Sequence, residues 1–239
     1  MKEPNFSKTG SDKELHYMQV KKFFKKSAEE KSKFYDSKSE GKLEREIKKR
    51  SMWKIYTLTL HEILQSNFNI SIVIDVACGM GNFITELSRH NQFKKIIGID
   101  FLKETFDIAR KTGKKFENIS FLQADLLNLP FSDRIFDLTV CINSLHHIHE
   151  NDFSKAISEL ARITNKYVML EIRNKNYILI PFINKIVLQK LYRDLPICST
   201  SISEINNLME KNRFKLKITR GNSSLYWACW RLVLVYERI

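Results

Sequence analysis

No apolar run in this chain of 239 residues approaches the roughly 20 residues needed to span a bilayer as a helix. The longest, such as YILIPFI at 177–183, stop far short. The opening MKEPNFSKTGSDKE lacks the apolar core of a secretory signal. Cysteine is sparse: Cys78, Cys141, Cys198 and Cys229 stand far apart and form no C-x-x-C pair. That spacing argues against a zinc site and a disulfide frame, and it predicts reduced thiols in a cytoplasmic protein. Two nucleotide signatures are missing as well. Read from Gly79, G-M-G-N-F-I puts Ile84 where the dinucleotide fingerprint needs a third glycine for close packing of helix and strand. No glycine turn is followed by Lys-Ser or Lys-Thr, which excludes a phosphate loop.

What is present is ordinary for a soluble globular chain: 43% hydrophobic and 28% charged residues. The length suits one large domain, or one domain with an appendage. Positive charge is unevenly spread. Residues 1–54 hold 16 Lys and Arg against 9 Asp and Glu, so more than half of the net +13 sits in the first quarter of the chain. A basic face attracts RNA or an anionic membrane surface. Here acids interrupt the lysines and no aromatic platform accompanies them, which favours a solvated helical region.

From about Glu14 to Gln65 the pattern is helical, with a break near SKSEG at 37–41. Leu43, Ile47, Trp53, Tyr56, Leu60, Ile63 and Leu64 recur at spacings near three and four, as one buried helix face requires. The rhythm then changes to short apolar strands alternating with helices. Strands are expected at 71–77, 95–100, 118–125, 135–142 and 166–172, and helices at 82–90, 103–113 and 152–163, with Gly113 closing the second. Strands apolar along their length and separated by helices imply a parallel sheet covered on both faces. After a helix at 201–212, RFKLKITRG and LYWACWRLVLVYERI read as an antiparallel hairpin turning at Gly221–Ser224. The division expected is an N-terminal helical region at 1–66 and an α/β domain at 67–239, with an ordered cap insertion at about 173–200.

VIDVACGMGNF (73–83) ends the first strand in a small-residue turn, where Gly79 and Gly81 let a ligand approach the backbone. Asp75 precedes this turn. Asp100 ends the next strand and is placed to accept the hydroxyls of a ribose. Asp125 ends the third and is placed to accept a hydrogen bond from an exocyclic amine such as that of adenine. Three acids at the C-terminal ends of successive parallel strands mark the ligand crevice of an open α/β sheet and point to an adenosine-bearing ligand.

These segments resemble the class I S-adenosylmethionine (SAM)-dependent methyltransferases, in the broad group that includes ubiquinone and menaquinone methyltransferases. VIDVACGMGNF resembles the glycine motif, IIGIDF the acidic second motif, QADLLNLPF the adenine motif and FDLTVCINSLHHI the fourth-strand motif. The resemblance implies a Rossmann-like seven-stranded, mostly parallel sheet with a C-terminal antiparallel hairpin, helices on both faces and an N-terminal helical lid. It implies SAM as cofactor and S-adenosylhomocysteine (SAH) as product. By this likeness Asp75, Ala77, Gly79 and Gly81 line the methionine end, Asp100 with Phe101 holds the ribose, Asp125 with Leu126 meets the adenine, and Asn143 sits beside the sulfonium. Tyr35 is a candidate for the lid aromatic near the cofactor carboxylate, with Arg45 or Arg50 as its cationic partner. Two departures stand out: Ala77 occupies a position often held by glycine, and TNKYVML replaces a Pro-Gly-Gly turn before strand five.

Methyl transfer from a sulfonium needs alignment and exclusion of water more than protein reactivity. A base helps when the nucleophile is a hydroxyl of high pKa. NSLHHIHE offers His146 and His147 as catalytic candidates, and Glu171 and Arg173 end strand five over the same crevice. No carboxylate stands at a convincing spacing to complete a metal site with these histidines, so no metal is expected. The Pro-Pro-aromatic turn of base amino-group methylases is absent from INSLHH, and Cys141 lies within a strand rather than in a nucleophilic setting. The expected function is methylation of a small molecule, on oxygen first and on carbon or nitrogen as alternatives, with an apolar or aromatic acceptor under the cap. Lys185, Lys190 and Arg193 of the cap also suit an acidic acceptor such as a carboxylate or a nucleotide-linked sugar. Alternatives are an RNA methyltransferase, a non-catalytic SAM-binding protein, and peripheral contact with a membrane through the basic segments.

Overall fold

The computed structural model describes residues 8–34, 42–65, 68–90, 92–177, 197–221 and 229–239, with side chains described from 12 to 26 and from 54 onward within those ranges. Two helices lead, α1 (Lys8–Phe34) and α2 (Lys42–Gln65). The order then runs β1 (Ile72–Val76), α3 (Asn82–Ser88), β2 (Lys95–Asp100), α4 (Lys103–Gly113), β3 (Ile119–Gln123), β4 (Phe136–Cys141), α5 (Glu150–Ile163) and β5 (Thr164–Arg173). Helix α6 (Ile202–Lys211) and the strands β6 (Phe214–Arg220) and β7 (Arg231–Arg238) close the chain.

The seven strands form one sheet in the order β3-β2-β1-β4-β5-β7-β6. The first five are parallel, and β7 runs antiparallel between β5 and β6. This is the Rossmann-like architecture expected, with the strand order reversing between β1 and β4, where a crevice opens beyond the strand ends. Burial of both faces explains why the inner strands lack polar alternation, whereas the edge strand β6, FKLKITR, alternates. Val73, Leu138, Val140 and Val235 pack on one face under Ile55 and Ile63 of α2 and Phe83 and Leu87 of α3. Ile74, Val76, Leu170 and Leu234 pack on the other under Leu160 of α5 and Met209 of α6.

Three details add to the sequence reading. Gly113 ends α4 as expected, but without a left-handed conformation: among the described residues the positive-φ glycines are Gly79 and Gly81. At Gly113 a Cβ would stand 2.2 Å from the Phe121 ring, and at Gly98 of β2 it would stand 2.8 Å from the same ring. Both glycines make room for Phe121. Strand β5 starts directly after α5, with no glycine turn between them. Instead Arg238 of β7 donates to the carbonyls of Ala161 (2.6 Å) and Thr164, while Thr164 Oγ1 donates to Leu160 O (2.5 Å). A guanidinium and a threonine thus satisfy the carbonyls at the end of α5. Finally, Ile55, absent from the predicted stripe of α2, is among its most buried side chains.

The body of the cap (178–196) and the hairpin turn (222–228) lie outside the described residues. The ends of the cap segment are pinned together: Thr200 N–H donates to Arg173 O (2.9 Å) and Lys175 N–H to Thr200 O (3.0 Å).

Candidate functional site

A cavity of about 280 Å³ opens at the C-terminal ends of β1, β2 and β4, under α1. Its floor is the turn after β1, where Ala77 and Gly79 line the space; Gly81, expected there too, instead faces Phe121 and Ala109. Ala77 has φ 60°, Gly79 φ 56° and Gly81 φ 76°, so three residues within five adopt the left-handed conformation. Alanine there costs roughly 1–2 kcal/mol relative to the right-handed region. The turn is tied to β2 by Cys78 N–H donating to Ile99 O (2.8 Å) and Gly79 N–H donating to Asp100 Oδ2 (2.9 Å).

Asp100 is 6% exposed and lines the cavity. Its Oδ1 also accepts from Leu102 N–H (3.0 Å) and Thr105 Oγ1 (2.7 Å). Burial raises its pKa, and the three donors oppose that rise. Of about four lone-pair sites on a carboxylate, three are engaged, so Asp100 retains capacity for about one further hydroxyl rather than two. Asp125 stands at the cavity edge, where its Oδ1 accepts from Leu127 N–H (2.9 Å). Phe101 and Leu126 line the same wall. Asp75 has a different place. It is 1% exposed and absent from the lining, and its carboxyl is pushed well above the usual range by burial first and by Asp100 second.

The turn after β4 forms one wall of the cavity, through Ile142, Asn143 and Ser144. Asn143 has φ 57° and lines the cavity. Its N–H donates to Glu171 Oε2 (2.9 Å), and its Oδ1 accepts from Arg173 Nη2 (3.2 Å) and Arg231 Nη2 (3.2 Å). Glu171 Oε1 accepts from Arg173 Nη1 (2.9 Å) and Arg231 Nε (2.8 Å). Burial works to raise the Glu171 pKa, but Arg173, Arg231 and the Asn143 N–H together hold it below the ordinary carboxylate range. A buried carboxylate between two guanidiniums is a rigid support whose loss would strand uncompensated charge.

The neighbouring histidines differ. His147 lines the cavity, and the Phe24 ring of α1 sits edge-on to it at 5.0 Å. His146 is 3% exposed, turns away from the cavity and stands 3.3 Å from Arg173 Nη2 through its Nε2. Because arginine only donates, Nε2 is the acceptor and Nδ1 carries the proton. Burial, and then Arg173 and His147, press its pKa well below the usual histidine value. His146 is thus neutral with its basic lone pair already used, and the structure does not place it as a base. Glu171 and Arg173 likewise sit behind Asn143 rather than in the cavity lining. His149 serves α5 as N-cap, its Nδ1 accepting from Asn151 N–H (3.2 Å).

Helix α1 roofs the cavity with Tyr17, Val20, Lys21 and Phe24, spaced as one helix face. It is moored to α5 by Lys13 Nζ and Tyr17 Oη, which contact the Asp152 carboxylate at 2.7 and 2.8 Å. His16 Nε2 meets the His147 carbonyl at 2.9 Å, and Lys25 approaches Glu104 of α4 at 3.6 Å. These roof residues were not singled out from sequence, although the three- and four-residue spacing of Tyr17, Val20 and Phe24 was available, and Tyr56 of α2, expected on a buried helix face, lines the cavity as well. The residue that was singled out, Tyr35, lies outside the described residues, as do the side chains of Arg45 and Arg50. Among the described residues no three His, Cys, Asp or Glu side chains gather as a metal site, and no helix is long and apolar enough to cross a membrane.

Residues 73–166 match the family model described as a methyltransferase domain. A demethylmenaquinone methyltransferase of Deinococcus radiodurans is 34% identical over 103 residues, covering 41% of this chain and 42% of that protein. A probable tRNA methyltransferase 9B of Mus musculus is 30% identical over 105 residues, 44% of this chain and 22% of that one. The chain thus spans less than half the length of these two curated relatives. Among solved structures, a magnesium protoporphyrin IX methyltransferase from Synechocystis PCC 6803 with bound SAH superposes with a TM-score of 0.73 at 17% identity. That likeness covers 93% of this chain and all of the other, which shows a shared fold.

Proposed function

Because residues 73–166 match the methyltransferase-domain family on a Rossmann-like sheet, we propose that the protein is a class I SAM-dependent enzyme that transfers a methyl group from SAM to an oxygen of a small-molecule acceptor. The observation that carries this reading is the cavity itself: a left-handed glycine turn, Asp100 and Asp125 line one continuous space at the strand-order reversal. In this reading the backbone of Ala77 and Gly79 takes the methionine end of SAM. Asp100 accepts a ribose hydroxyl with its remaining lone pair, and Asp125 accepts from the adenine amine while Phe101 and Leu126 cover the ring. Residues 1–66 act as a lid, and α1 excludes water from the reacting centre, where electrostatic interactions strengthen as a result. SAM supplies the electrophilic methyl; the chain aligns the acceptor. His147, at the cavity wall, is the side chain in place to touch an acceptor and to take a proton where the acceptor has one to lose.

The small-molecule reading draws support from the quinone and porphyrin methyltransferases to which the chain is similar. Four free cysteines, three of them buried, agree with a cytoplasmic protein. A second reading, methylation of tRNA, is favoured by the net +13 and by the tRNA methyltransferase relative. Methyl-labelled SAM incubated with the purified protein and separated cell fractions decides between them. Label in small metabolites or lipid is expected; label confined to RNA would establish the second reading, and no transfer to any fraction would leave a SAM-binding protein without activity.

A further inference from the structure

The Asn143 amide faces the cavity with a fixed polarity. Arg173 and Arg231 both approach its Oδ1, at 3.2 Å each, and arginine carries donors only, so the oxygen is turned toward the guanidiniums and the Nδ2 amine away from them. The Nδ2 amine makes no hydrogen bond among the described residues, and Asn143 lines the cavity. Its backbone is held equally firmly by the Glu171 carboxylate on its N–H at 2.9 Å. The side chain cannot rotate by half a turn without setting an amine against two cations. What it offers the cavity is therefore a donor edge backed by two guanidiniums.

From this we infer that the acceptor is an anionic oxygen acid, a carboxylate or an acidic phenol or enol, whose oxygen is held by the Asn143 amide beside the methyl group. The inference rests on the SAM-dependent reading above and adds the class of acceptor. An amine acceptor would need a hydrogen-bond acceptor at this point to orient its N–H, and a donor edge repels it. An oxyanion is matched in sign and geometry, and a charge-assisted N–H···O⁻ bond is about twice as strong as a neutral one. The charged groups in contact with Asn143 are the Glu171 carboxylate, 2.9 Å from its backbone N–H, and the Arg173 and Arg231 guanidiniums, 3.2 Å from its side-chain oxygen, so the side chain itself is met by the two cations. In the transfer step an oxygen lone pair forms the new C–O bond while the C–S bond breaks and its electron pair returns to sulfur. The oxygen loses its negative charge, the sulfonium loses its positive charge, and no proton changes hands. That accounts for a turn in which His146 keeps its lone pair engaged by Arg173.

The test uses purified full-length protein saturated with SAH, titrated with sodium benzoate, benzamide and benzylamine as probes of one ring bearing different polar groups. Benzoate is expected to bind about tenfold or more tighter than the other two. Replacing Asn143 by Asp, which keeps the shape but presents an oxygen to the cavity, should abolish that preference. Asn143→Gly, which tolerates φ 57° without strain, should reduce it severalfold. Thermal melting establishes that each variant is folded, and if neither folds the wild-type preference alone decides. Benzylamine binding as tightly as benzoate, or an unchanged benzoate preference in folded Asn143→Asp, would overturn the inference. Failure of SAH to bind wild-type protein would instead remove the SAM-dependent reading beneath it.

Discussion

Asp152→Asn isolates the mooring of α1, the helix proposed above to act as a lid. In the wild type the Asp152 carboxylate accepts from Lys13 Nζ at 2.7 Å and from Tyr17 Oη at 2.8 Å, bridging α5 to α1. Burial works to raise its pKa, but the Lys13 and Tyr17 bonds outweigh it and leave the group ionised below the usual range. The Lys13 side chain is 41% exposed, so solvent screens that ion pair to about 0.5–1 kcal/mol. The Tyr17 bond to a buried-side carboxylate contributes about 1–1.5 kcal/mol. An asparagine at this position keeps one acceptor oxygen and recovers part of this, so the closed lid loses about 1–1.5 kcal/mol, which corresponds to a five- to tenfold weaker Kd for SAH if closure and binding are coupled. The same substitution also forfeits a favourable charge in the first turn of α5, worth about 0.5 kcal/mol of overall stability. Tyr17→Phe separates the two effects, because it removes one of the two contacts of α1 to Asp152 and leaves the charge in the first turn of α5 intact. Calorimetric titration with SAH measures both variants. An affinity within about twofold of wild type in both would refute the coupling of lid docking to cofactor binding.

Three further outcomes are expected. Asp100→Ala should weaken SAH by about 1.5–3 kcal/mol, the scale of a hydrogen bond to a charged group, and unchanged calorimetric affinity would remove Asp100 from the ribose. Gly113→Ala drives a Cβ to 2.2 Å from the Phe121 ring. It should cost about 1–3 kcal/mol in urea unfolding, with partial recovery in Gly113→Ala/Phe121→Leu; a neutral Gly113→Ala would contradict the packing argument. The third concerns pH. Since burial, Arg173 and His147 depress the His146 pKa, protons bind the unfolded chain more readily than the folded one below about pH 6.5. Stability from this group is complete above that pH and is lost as pH falls, by up to about 1.4 kcal/mol per unit. Between about pH 7.5 and 5.5, wild type should therefore lose more stability than His146→Gln, and parallel urea midpoints would contradict a neutral buried His146.

The sheet was legible because strand burial on both faces writes itself as uninterrupted β-branched runs: IVIDV became β1, KIIGID β2 and FDLTVC β4, close to the spans expected. The terminal hairpin was legible from the strand character of its two arms. The acids at the strand ends were legible in order, but not in their division of labour. Nothing local tells that Asp75 lies buried behind the cavity while Asp100 and Asp125 line it, since that depends on which way each side chain leaves its strand. His146 and His147 are adjacent in sequence, yet one faces Arg173 and the other faces Phe24, and both partners lie more than 20 residues away. Arg231 was invisible for the same reason: it reaches Glu171 only through the antiparallel register that sets Arg173 opposite Arg231. Gly113 was legible as the end of α4 but not in its reason: a glycine at a helix end has two explanations, a left-handed cap or a close neighbour, and only the position of Phe121 separates them. Site residues whose function depends on long-range contacts are the ones a linear reading cannot resolve.

The central claim is that the cavity under α1 is a SAM site. Isothermal titration of the purified protein with SAH, repeated with Asp100→Ala, tests it most directly. Saturable binding of one SAH per chain, weakened in the variant, is the predicted result. Absence of binding to the folded wild-type protein, or binding of equal strength in Asp100→Ala, would contradict it.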